Sequence, residues 1–99
     1  MYLNEIAHAR AGDKGNIVTL SLIAYKSTDY PLLEQHVTAE RVERQFAEIL
    51  EGRVVRYEMA HLGALNFVLP RKQQYSVTRS LALDAHGKCL SSALLALKL

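Results

Sequence analysis

Apolar and polar residues alternate most cleanly in "NIVTLSLIAY". Val18, Leu20, Leu22 and Ala24 fall on one side, and Ile17, Thr19, Ser21, Ile23 and Tyr25 on the other. A period of two belongs to a β-strand, here with one face in the core and the other half covered. The preceding "YLNEIAHA" reads as a weaker strand with Tyr2, Ile6 and His8 on one side. Glycine-bearing residues 10–16 join the two, which predicts an antiparallel hairpin with a longer than minimal loop. The period then changes. In "STDYPLL", Asp29 can cap a helix and Pro31 suits a first turn. Further on, Thr38 is a good N-cap, Glu40 stands near the positive end of the helix dipole, and Val37 and Val42 hold the staple positions. Val42, Phe46, Ile49 and Leu50 form one helical stripe, so a helix is predicted over about 38–51, ended by Gly52.

"RVVRYEM" is a strand with Val55, Tyr57 and Met59 opposite Val54, Arg56 and Glu58. "LGALNFVL" fits either a buried strand or a short helix, because short apolar runs carry no decisive period. "SVTRSLALD" alternates, predicting a strand from Val77 to Leu83, and "DAHG" is a turn. Leu90, Leu94 and Leu97 then have helical spacing, with Ser91, Ser92 and Lys98 on the other face. An antiparallel or mixed sheet with helices on one face is an α+β two-layer sandwich.

Composition narrows the function classes. A chain of 99 residues is expected to be one domain, and 49% hydrophobic with 22% charged residues is an ordinary globular balance. So small a domain gains core by association, which favours a homo-oligomer. A formal charge of +2, with no basic tract, gives no reason to expect nucleic acid as a partner. No leader pattern and no apolar run long enough to span a bilayer is present, so a soluble, cytoplasmic protein with no membrane contact is expected. Cys89 is the single cysteine, which rules out an intrachain disulfide, and its flanks suggest a small core residue.

The candidate chemistry is sparse. His8, His36, His61 and His86 form no metal-binding pair at helical or strand spacing, and no metal or cofactor is expected. No nucleophile elbow occurs. His8 stands just before the polar stretch and could face whatever that stretch binds. "RAGDKGN" lacks the spacing of a P-loop, yet it holds the parts of an anion nest: two glycines, Arg10 and Lys14 as cations, and Asp13 and Asn16 as turn-formers. From the residues alone it reads equally as a hairpin turn and as a binding loop. Asn66 interrupts an apolar run, where an amide must find a hydrogen bond. Thr78, Arg79 and Ser80 place a guanidinium and two hydroxyls within a strand, and Asp84 stands beside "HGK" as a turn-former or an acid.

Read together, "AHARAGDKGNI", "RYEMAHLGALNFVLP" and "TRSLALDAHGKCLSSALLALKL" resemble the C-terminal domain of the acyclic terpene utilisation AtuA family, in order and spacing, over almost the whole chain. That family's first motif usually carries a serine where Ala11 stands here. Its second is carried by Ala64 to Leu69, and its third by Thr78, Arg79, Ser80, Leu81, Asp84, Gly87 and Lys88. The resemblance implies a ferredoxin-like fold, although the hairpin-first order departs from a plain βαββαβ alternation. In the family this domain normally follows a much larger one, so the resemblance implies a free-standing version that works with an AtuA-type large protein. It further implies a role in breakdown of acyclic terpenoids through acyl-CoA intermediates. On this reading Arg10, Lys14, Arg79 and Ser80 face an acyl-CoA or other small anionic ligand, or a docking partner, while Asp13, Asn16 and Asn66 fix the geometry. The alternatives are a small hydratase-like or lyase-like enzyme using Asp13 or His8 as acid or base with Lys14 as charge stabiliser, or a structural homo-oligomeric module.

Overall fold

The computed structural model describes residues 1–72 and 89–99. The elements are β1 (Ala7–Lys14), β2 (Ile17–Ala24), α1 (Tyr30–His36), α2 (Ala39–Gln45), β3 (Val55–Met59), β4 (Ala64–Pro70) and α3 (Cys89–Leu95), with 3₁₀ turns at Leu3–Glu5, Ser27–Asp29 and Ala60–Leu62. The four strands form one antiparallel sheet in the order β1-β2-β4-β3. Leu20, Leu22, Leu65, Phe67 and Leu69 point from it into a core closed by Leu33 and Val37 at α1, Val42 of α2, and Leu90 and Leu94 of α3. The expected α+β sandwich with helices on one face is what forms.

The hairpin differs from its expectation. β1 does not stop at the polar stretch but runs through it, pairing Arg10 with Ser21, Gly12 with Thr19 and Lys14 with Ile17. The strand also begins only at Ala7, because Leu3–Glu5 is a 3₁₀ turn beneath which Leu3 is buried. The connection is two residues, Gly15 and Asn16, with Gly15 at φ 69°, as the tight hairpin turns that match strand twist require. Gly12 is an ordinary strand residue without positive φ; a Cβ there would lie 2.8 Å from the Thr19 hydroxyl oxygen. There is therefore no extended loop and no two-glycine nest.

Thr38 caps α2 as expected, its hydroxyl accepting from the Arg41 N–H at 3.2 Å, and the staple residues Val37 and Val42 are both fully buried. The helix ends at Gln45 instead of near 51. The reason is tertiary: residues 49–51 leave the helical path to pair with the end of β4, through Glu51 N–H to Pro70 C=O at 2.9 Å and Lys72 N–H to Ile49 C=O at 2.8 Å. Within the ambiguous run 62–70, Leu62 ends a 3₁₀ turn and Ala64–Pro70 is the interior strand β4, whose Leu65, Phe67 and Leu69 enter the core. Ser91 is buried, not turned to the outer face of α3. The strand expected from Val77 to Leu83 and the "DAHG" turn lie outside the described residues.

Arginines tie the helical layer together. Arg41 donates to the carbonyls of His36 (3.2 Å) and Lys98 (2.5 Å), and Arg56 to those of Glu34 (3.0 Å) and Val37 (2.8 Å). The Glu43 carboxylate accepts from Val54 N–H at 2.9 Å and from Arg53 at 3.0 Å, joining α2 to the approach to β3.

Candidate functional site

The face of the sheet away from the helices carries no described element over it. Strand pairing writes this face out in rows. One row reads Arg10, Ser21, Asn66, Tyr57; the next, towards the start of β1, reads His8, Ile23, Ala64, Met59. On the other side of the polar row stand Gly12, Thr19, Val68 and Val55, and beyond them Lys14, Ile17 and Pro70. Tyr57 is 54% exposed, Val55 45% and Ile17 40%, values far above those of residues that pack a core.

The polar row has an internal order. The Ser21 hydroxyl donates to Asn66 Oδ1 at 2.9 Å, which satisfies the amide oxygen and leaves both Nδ2 hydrogens to point elsewhere. Among the described residues, no acceptor meets Arg10 or Lys14. Arg41, Arg53, Arg56 and Arg71, in contrast, each have one. Arg10, Ser21, Ile23, Met59 and Leu62 line a shallow depression of about 280 Å³ across the polar row and its apolar neighbour. His8 stacks on Tyr25 at the edge of this face, ring centroids 5.3 Å apart.

The residues expected to form one site do not all converge. Asp13 pairs with Val18 and so belongs to the helix side of the sheet. Its carboxylate accepts at 2.7 Å from Arg71, whose side chain is 1% exposed. Arg71 also donates to the Gly15 carbonyl, and its Nε and Nη1 have no hydrogen-bond partner among the described residues. Asp13 thus locks the turn from behind and is not available as an acid or base beside Lys14. Asn16 is the second turn residue and holds Arg71 in place, its carbonyl accepting the Arg71 N–H at 2.6 Å. His8 and Lys14 share the open face but are six positions apart, about 20 Å along an extended strand. Ala11 lies on the opposite side from Arg10, so the absent serine hydroxyl removes nothing from the polar row. Arg79, Ser80 and Asp84 lie outside the described residues.

Three residues of this arrangement escape a reading of the sequence. Ser21 and Tyr57 are ordinary strand positions until strand order makes them neighbours of Asn66. Arg71, in "LPRK", has no signal of burial at all. Among the described residues no three His, Cys, Asp or Glu side chains gather where they could hold a metal ion, and no helix is long and apolar enough to cross a membrane.

Among the described residues the sheet is thus one-sided, with a mixed polar and apolar face opposite the helices. The comparison with known families agrees with the motifs: the model of the AtuA ferredoxin-like domain matches residues 1–99, and the chain belongs to that family. No curated protein and no solved structure matches the chain.

Proposed function

We propose that the chain is an accessory domain or small subunit that acts with an AtuA-type large protein, in the cytoplasm, in the catabolism of acyclic terpenoid or related acyl-CoA intermediates. Family membership supports the setting. The observation that carries the docking role is the uncovered sheet face. It presents Ile17, Val55 and Tyr57 around a polar row, with Arg10 and Lys14 as its formal charges and no carboxylate among the described residues. Apolar surface of this kind marks an interaction site. A face bearing one sign of charge selects an acidic-rimmed partner and disfavours a second copy of itself.

The test is light scattering after size exclusion, with the chain alone and mixed with an AtuA-type large protein. The expected result is a defined complex that Val55→Lys with Tyr57→Glu abolishes while the circular dichroism spectrum is unchanged. A homodimer that uses this face and ignores the large protein would overturn the reading.

A further inference from the structure

We propose that the depression on the open face is a binding site for a small carboxylate with an apolar body, recognised by Arg10 at the edge of the polar row. This goes beyond the docking reading and does not need the large protein. Two adjacent rows of the sheet make the site. From the polar row Arg10 and Ser21 line it: the guanidinium has no acceptor among the described residues, while the Ser21 hydroxyl is turned to Asn66 on the next strand. The neighbouring row offers Ile23, Ala64 and Met59, and Leu62 of the 3₁₀ turn closes its far end at 58% exposure.

The chemistry of the ligand follows from this order. The planar guanidinium of Arg10 offers two parallel N–H groups, which match the two oxygens of a carboxylate. Among the described residues one cation lines the depression, so a singly charged head suits it better than a phosphate dianion. Lys14 is two rows away, about 13 Å along the strand, and belongs to a different part of the face. The head lies on the polar row and the body on the next, which sets a body length of about 7 Å, two residues of strand rise. Hexanoate has these proportions.

The experiment is a titration of the isotopically labelled full chain, followed by amide and side-chain NMR, with hexanoate, hexanol and inorganic phosphate in turn. Hexanol has the body without the charge, and phosphate the charge without the body. Hexanoate should shift Arg10, Ser21, Ile23 and Asn66 and bind about tenfold more tightly than either control. Arg10→Gln should erase that preference without lowering Tm, since the side chain is exposed. Equal binding of hexanoate and hexanol, shifts centred elsewhere, or no saturable shift at all would each overturn the proposal. The docking reading is scored separately, by complex formation with Val55 and Tyr57 substituted, so either can fail while the other stands.

Discussion

The same strands present two faces that obey different rules. Towards the helices, Val18, Leu20, Leu22, Leu65, Phe67 and Leu69 are all nearly or fully buried. The one charged residue buried with that layer among the described residues, Arg71, is fastened to Asp13 and to the carbonyls of Gly15 and Asn16. Away from the helices, Ile17, Val55 and Tyr57 remain substantially exposed, and Arg10 and Lys14 meet no acceptor among the described residues. Folding energy comes from the first face. The second contributes little to it, so its composition is free to answer to a partner or ligand.

Substitutions should separate the faces. The largest effect is expected for Phe67→Ala, which empties a fully buried site in the interior strand β4. Urea unfolding should show a loss of about 3–5 kcal/mol, a large part of the stability of a domain this small. Next comes the buried ion pair. Asp13→Asn leaves the Arg71 charge enclosed without its counter-ion and should cost about 3 kcal/mol, whereas Arg71→Met removes the charge itself and should cost about 1 kcal/mol or less. A loss for Arg71→Met as large as that for Asp13→Asn would show that the paired charge itself stabilises the fold, beyond the penalty of leaving Arg71 unpaired.

The acid limb gives a subtler contrast. The Val54 N–H first, and the Arg53 guanidinium second, hold the Glu43 carboxyl below its ordinary range. A lowered folded-state pKa stabilises above the unfolded value, near 4.5, and that stabilisation fades as pH falls through the lower folded value. Tm measured against pH should therefore fall less steeply on the acid side in Glu43→Gln than in the unsubstituted chain. Smallest of all on stability is Tyr57→Ala on the open face, expected within about 0.5 kcal/mol, yet complex formation should weaken measurably. A loss of several kcal/mol there would mean the open face is part of the fold.

Legibility in the sequence followed the same division. Alternation located β2 and β3 and marked the core face of β2, and Thr38 marked the start of α2, because these features are local; that the apolar side of β3 faces away from the helices is set by its pairing with β4. The hairpin departs from its expected loop because Arg10, Asp13 and Lys14 have the composition of loop residues. In fact the edge position of β1 among the described strands lets polar side chains stay in water while the backbone pairs. The end of α2 and the strand identity of 64–70 depend on partners far along the chain, which no local period records. Asn66 was rightly expected to need a hydrogen bond, but its donor, Ser21, becomes visible only through the β2–β4 register.

The two-residue turn at Gly15–Asn16 also has a kinetic meaning. A hairpin closed by so short a connection can form on its own in about 1–10 μs. The β2–β4 pairing, by contrast, must bring together segments separated by α1, α2 and β3. Its loop-closure entropy has to be met before its contacts are gained. The chain is thus expected to assemble its sheet outward from the β1–β2 ribbon. Every row of the open face, the polar one included, is then completed only once β4 arrives beside β2 and sets Asn66 next to Ser21.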